Sequence, residues 1–195
     1  MSDAAAVADP GLDELAAVAE RLRRSTVQVR VVGPHQSGGS GVVWRAGLVV
    51  TNAHVVTDRA LEVEWPTGER RPARLAAVDR RRDLAALRVD TGDLVPVATA
   101  STRSLRIGAL ALAVGNPMGL SGAVSTGVIH SLASGRRGNS LVLADLRLLP
   151  GNSGGPLADA QGRVVGLNAM VLDGLAAAIP SEVVERFVAG AALAA

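Results

Sequence analysis

The stretch Pro150-Gly151-Asn152-Ser153-Gly154-Gly155-Pro156 sets a serine among glycines and between prolines. Such a run suits neither a helix nor a central strand, because each proline lacks a donor and glycine admits backbone conformations closed to other residues. A loop of this kind can expose one hydroxyl and hold bare backbone N–H groups beside it. Those are the needs of acyl transfer: a nucleophile, and donors aimed at the oxyanion it creates. A tight turn with an incidental serine is the competing reading. Gly151-x-Ser153-x-Gly155 also fits the nucleophile elbow of α/β-hydrolases, in which an acid and then a histidine follow the serine. No histidine follows Ser153, since the three are His35, His54 and His130. The strand-like segments also lack the alternating helices of a parallel sheet. Any triad here runs histidine first.

The composition is that of a strand-rich protein. Of 195 residues, 48% are hydrophobic but only 2% aromatic, so Val, Leu, Ile and Ala must build the core. Val-rich runs punctuated by Gly and Pro favour strands. The net charge is +2, yet the isoelectric point is about 10.7. Every basic residue is Arg, and Lys, Tyr and Cys are absent, so only a terminus titrates between His and Arg. The high value reflects missing buffering groups, and no nucleic-acid partner is expected. Without cysteine there is no disulfide, thiolate nucleophile or cysteine metal site. With three histidines a metal site is not expected either, and no cofactor is implied. Residues 1–8 are small and acidic, unlike a signal peptide, and no run is long enough to span a membrane. The expectation is a soluble cytoplasmic protein, unless the chain is a processed or trimmed form.

Along the chain, Asp9-Pro10 is read as the start of a helix carrying Leu12, Leu15, Val18 and Leu22 at helical spacing, with Arg21, Arg23 and Arg24 at its end. Period-two alternation then marks a strand at 26–32. Residues 33–41 read as a turn, followed by strands at 42–44, 48–51, 61–65, 73–78 and 84–89. Residues 92–102 lack a period and hold the crossover between two lobes. Strands resume at 110–114, 124–132, 141–146, 164–170 and 176–179. Ser181 reads as the N-cap of a closing helix through residue 188, with Glu182 near its positive end. Many short strands between two terminal helices predict an all-β antiparallel barrel or sandwich.

Ser153 needs a base. His35 lies among Gly and Ser in a turn and reads as a solvated loop residue. His130 sits in a strand-like run and reads as a hydrogen-bonded structural histidine. His54 follows the buried strand Leu48-Val49-Val50-Thr51, whose rigid end can fix an imidazole at a cleft mouth. For the acid, Asp83 stands directly before the apolar Leu84-Ala85-Ala86-Leu87. A carboxylate there can accept the Nδ1 proton of His54 and turn the other nitrogen towards Ser153. Asp79 is the rival, beside the solvated turn Arg80-Arg81-Arg82. Asp58, Asp90 and Asp93 read as turn residues.

Thr51-Asn52-Ala53-His54-Val55-Val56, Asp83-Leu84-Ala85-Ala86-Leu87, Gly115-Asn116-Pro117-Met118-Gly119, Gly151-Asn152-Ser153-Gly154-Gly155-Pro156-Leu157 and Ala178-Ile179-Pro180-Ser181 follow one another in a family's order. The chain resembles the HtrA/Deg branch of the trypsin-like, chymotrypsin-fold serine proteases over residues 26–188. The resemblance implies two packed antiparallel β-barrels with the site between them. An N-terminal helical segment would occupy 1–25, the first lobe 26–97, and the second lobe with its closing helix 98–195. It implies His54 as base, Asp83 as its orienting acid and Ser153 as nucleophile, with an oxyanion hole from the N–H groups of Gly151 and Ser153 shaped by Asn152. Digestive relatives carry Asp at the Asn152 position, where it pairs with a new N-terminus after zymogen cleavage. Asn cannot form that pair, so no proteolytic activation is expected.

The family further implies an unfolded polypeptide substrate, bound as an added strand beside Gly166, Leu167, Asn168, Ala169 and Met170. Pocket walls would come from Leu148, Leu149 and Ala177, with small aliphatic side chains favoured before the cut. Two residues depart from the pattern. Arg147 stands near the pocket floor, where it either faces solvent or admits acidic side chains. Ala177 replaces a bulky aromatic. No peptide-binding PDZ domain follows within the chain, and the aromatic contacts of the family trimer are not visible, so the oligomeric state is left open. Two other functions remain: a catalytically silent trypsin-fold binding module, and an esterase-like acyl hydrolase using the same triad.

Overall fold

A computed structural model describes residues 10–33, 37–134 and 140–192. Helix α1 spans Pro10–Arg24. Six strands then close a first barrel: β1 Thr26–Val31, β2 Ser37–Arg45, β3 Leu48–Thr51, β4 Leu61–Glu64, β5 Arg70–Asp79 and β6 Leu84–Arg88, in the order β1-β2-β3-β6-β5-β4. A second barrel follows: β7 Leu110–Gly115, β8 Ala123–Ser134, β9 Ser140–Asp145, β10 Pro156–Asp159, β11 Val164–Leu172 and β12 Leu175–Pro180, in the order β10-β11-β12-β9-β8-β7. Every strand pair in both barrels is antiparallel. Helix α2, Ser181–Ala192, closes the described chain. No helix among the described residues is long and apolar enough to cross a membrane.

Three apolar cores hold this arrangement. Val27, Val29, Val43, Val49, Val63 and Leu87 fill the first barrel, and Ala111, Ile129, Val142, Leu157 and Val165 fill the second. A third core lies between them and fixes one barrel against the other. Val42, Trp44, Val50 and Leu84 meet Leu112, Val114, Val164 and Leu167 there, together with Val18 and Leu22 of α1 and Val184 and Val188 of α2. Residues of β2 therefore alternate between two apolar environments, with Val43 inside its barrel and Val42 and Trp44 against the other. Strands buried on both faces read as continuous apolar runs, as Val42-Val43-Trp44 does. Helix α1 ends where the Ser25 N–H and the Thr26 hydroxyl both bond to the Leu22 carbonyl, at 3.1 and 2.8 Å.

Two strands depart from the sequence reading. The turn expected at 33–41 is strand from Ser37 onward, paired with β1 through Gly38, Gly39, Ser40 and Gly41. Its glycines mark close approach rather than a bend: a Cβ at Gly38 would run into the Val29 carbonyl. Strand β10 was hidden because it has only four residues, all buried, and begins at a proline. Ser181 also differs from its expected capping role. It opens α2 as a helical residue, and its hydroxyl donates to the Ala100 carbonyl at 2.6 Å. Glu182 accepts from the Thr102 N–H and hydroxyl and from the Ser101 hydroxyl, so the helix pins the interbarrel crossover. Burial opposes ionisation of Glu182, but these hydrogen bonds outweigh it and hold its carboxyl below the usual range. Asp9 and His35 lie outside the described residues.

Candidate active site

His54 stands in the turn just beyond β3, and Asp83 directly precedes β6, the neighbour of β3 in the barrel. The Thr51↔Ala85 register brings the two residues side by side. Asp83 grips the histidine with both oxygens: Oδ1 accepts the His54 backbone N–H at 2.9 Å and Oδ2 lies 2.7 Å from Nδ1. The carboxylate reaches this pose from a left-handed backbone, φ 58°, which Asp tolerates better than most residues. Buried Asn52 donates to the Asp83 carbonyl at 3.0 Å and steadies that turn. The hydrogen bond to Asp83 raises the His54 pKa above its ordinary 6.5; burial opposes this, and the carboxylate charge adds to it. Asp79 is otherwise engaged, accepting from the Arg82 N–H at 3.0 Å and its guanidinium at 2.7 Å. Exposed His130 bonds only to its neighbour Ser131 among the described residues, at 3.2 Å.

Ser153 sits between β9 and β10 on a loop tied down by backbone bonds. A peptide N–H points opposite its own carbonyl, so the carbonyls report where the donors face. The Pro150 carbonyl accepts from the Met118 N–H at 3.2 Å, and the Asn152 carbonyl from the Gly155 N–H at 3.0 Å. Those two peptide units carry the N–H groups of Gly151 and Ser153. Both point away from the anchored carbonyls, and among the described residues neither has an acceptor. Two free donors beside a serine hydroxyl are the arrangement an oxyanion needs. The adjoining Gly154 has φ 85°, and a Cβ there would strike the Ser40 carbonyl and the Thr51 hydroxyl. The Ser153 hydroxyl itself donates to the Ala169 carbonyl at 3.2 Å.

The residues expected to bind substrate fall into two groups. Gly166 and Leu167 are paired on both edges, with β10 and with β12, and Asn168 exchanges backbone bonds with Gly154 and Gly155. These three are buried and do not offer a free edge. Beyond them, among the described residues, β11 is paired with β12 alone, so a free edge begins at Ala169 and Met170 and continues through Val171 and Leu172. Leu148 and Leu149 are half-buried on the loop leading to Ser153, and Ala177 is buried opposite Met170. Arg147 is exposed to solvent. On the other side of the loop, a cleft of about 830 Å³ is bordered by Gly39, Met118, Pro150 and Gly151. Sequence reasoning missed Asn52, Ser40 and the carbonyl-anchoring role of Met118, although Asn52 and Met118 lie inside motifs it singled out.

Two packed six-stranded barrels, one carrying a histidine gripped by an acid and the other a serine on a donor-lined loop, have the arrangement of a trypsin-like peptidase domain. Residues 39–167 match the family described as "Trypsin-like peptidase domain". The chain belongs to that family, and the relatives it resembles are HtrA-type serine proteases. It is 34% identical to "Serine protease HTRA2, mitochondrial" of Bos taurus, a match covering 89% of this chain and 42% of the relative. It is 33% identical to "Serine protease HTRA4" of Homo sapiens, over 90% and 41%. Among solved structures, the "HtrA-type protease AlgW with tripeptide" superposes with a TM-score of 0.84 and 28% identity, covering 90% of this chain and 62% of that one. The "serine endoprotease from Yersinia pestis" gives 0.82 and 28%, over 95% and 67%. The chain thus spans about two fifths of the length of these curated relatives.

Proposed function

We propose that this chain hydrolyses peptide bonds in unfolded or flexible polypeptides through His54, Asp83 and Ser153. Oγ of Ser153 attacks the scissile carbonyl while His54 takes its proton. The C–N bond then breaks, the departing amine receives that proton, and water hydrolyses the acyl-enzyme by the same route. Asp83 keeps the imidazole in the productive tautomer and stabilises its cation. The developing oxyanion is received by the N–H groups of Gly151 and Ser153. This reading rests on the two unclaimed donors beside the Ser153 hydroxyl, together with a histidine oriented by an acid in the neighbouring barrel. An extended substrate fits the free edge from Ala169 to Leu172, where main-chain bonding favours chains without tertiary structure. Half-buried Leu148 and Leu149 and buried Ala177 offer an aliphatic pocket for the residue before the cut, and exposed Arg147 is left out of it.

One observation favours the silent-module reading: Ser153 donates to Ala169, not to His54. That carbonyl lies at the free edge, where a substrate N–H competes for it and releases the hydroxyl. Catalytic hydrogen bonds often tighten only once substrate is bound. Digestion separates the readings. The protein is expected to degrade unfolded casein while leaving a folded, disulfide-intact protein whole, and Ser153→Ala is expected to leave both intact. Wild type that binds casein without cleaving it identifies a binding module, and turnover of small esters alone identifies an esterase.

A further inference from the structure

We infer that Ser40 is the positioning residue that holds the oxyanion loop in its donor-out state, an inference that rests on the proteolytic reading above. Ser40 belongs to β2 of the first barrel, yet two of its polar groups, the hydroxyl and the backbone N–H, serve the second. Its hydroxyl accepts the Asn116 N–H at 2.8 Å and donates to the Gly151 carbonyl at 2.7 Å. Its backbone N–H donates to the Ser153 carbonyl at 2.8 Å, and its own carbonyl accepts the Thr51 hydroxyl at 2.7 Å. The residue is fully buried.

The hydroxyl acts on both peptide planes that meet at Gly151. It holds the Gly151–Asn152 plane directly, through the Gly151 carbonyl. It holds the Pro150–Gly151 plane through Asn116, which leads into the short 3-10 turn Pro117–Gly119. Met118 in that turn has φ 51°, an unfavourable left-handed conformation for a methionine, and from it presents the N–H that anchors the Pro150 carbonyl. Anchoring that carbonyl turns the Gly151 N–H out as a donor. Gly151 itself, at φ 103°, is free to rotate if the anchors loosen. A hydroxyl meets both demands at once, donating through its one hydrogen and accepting on a lone pair. Alanine at this position strands the buried Asn116 N–H and frees the Gly151 carbonyl.

The residue touches no reacting atom, so its removal should weaken the transition state more than the ground state. Losing an oxyanion donor outright costs about 10²–10³ in kcat, and losing its support should cost about 10- to 100-fold. Ser40→Ala is expected to lower kcat by that factor with KM unchanged within about twofold. A peptide boronic acid, which forms a tetrahedral adduct on the serine, should weaken by the same factor. Ser40→Thr, which keeps the hydroxyl, should recover most of both losses. Equal boronate affinity in Ser40→Ala and wild type, or a loss confined to KM, overturns the inference while leaving the protease reading intact. Wild type that neither turns over peptide nor binds the boronate overturns both. Should Ser40→Ala fail to fold by circular dichroism, Ser40→Cys, with its weak donor, takes its place under the same readouts.

Discussion

The two halves of the proposed site are held by different physics. His54 and Asp83 belong to one barrel, sit at the ends of neighbouring strands, and are joined by two short side-chain bonds. The donors of Gly151 and Ser153 are fixed indirectly, by carbonyls anchored to Met118 and Gly155 within the second barrel and to Ser40 across the barrel interface. The proton-handling half is a local property of β3 and β6. The anion-binding half is a property of barrel docking, and the apolar core between Val42, Trp44, Leu112 and Val164 keeps it in place. Damage to the first half should therefore appear in pH dependence, and damage to the second in transition-state affinity.

Asp83→Asn breaks the first half most severely. The wrong His54 tautomer should lower kcat about 10⁴-fold, by the measure of the trypsin triad. Asp79→Asn, which loses only the Arg82 contacts, should stay within about threefold. A reversed outcome in steady-state kinetics would reassign the acid. Gly154→Ala attacks the second half. Strain at φ 85° and overlap with Ser40 should destabilise the protein by about 1–3 kcal/mol in urea unfolding. The boronate should weaken while the acid limb of the pH profile stays put.

Asn52→Ala is milder. It removes one bond to the Asp83 carbonyl, worth about 1 kcal/mol, and should lower kcat about fivefold. The smallest effect sharpens the comparison most. Because Asp83 raises the His54 pKa, kcat/KM should fall on acidification with a midpoint above 6.5. Protonated His54 cannot take the Ser153 proton, so activity is lost below that midpoint. The His54–Asp83 pair contributes stability that is fully present below 6.5 and lost as pH rises through the raised value. In Asp83→Asn only the burial contribution remains, and the midpoint should move down; Ser40→Ala should leave it where it is.

The same contrast explains what could be read from the sequence. His54 and Asp83 were legible because each adjoins an apolar strand, and strand ends announce themselves by hydrophobic pattern. The serine was legible from its glycines and prolines. Ser40 was not, because Gly38-Gly39-Ser40-Gly41 has the composition of a turn, and only its contact with Val29 and the serine loop makes it a strand. Strand β10 was lost for a related reason, being too short to show a period. The extent of the substrate edge was also hidden: Gly166 and Met170 share one strand, but only pairing with β10 shows that the edge is closed at Gly166 and open at Met170. Side-chain chemistry was visible in one dimension, whereas backbone donors positioned by partners across the barrel interface were not.

The central claim is that the two halves meet at a nucleophilic Ser153. A fluorophosphonate tests it directly, since phosphonylation needs both His54 as base and the donors of Gly151 and Ser153. Wild type should be labelled with one adduct, mapped by mass spectrometry to the peptide carrying Ser153, and Ser153→Ala should not be labelled. An unlabelled wild type, or equal labelling of Ser153→Ala, would contradict the account.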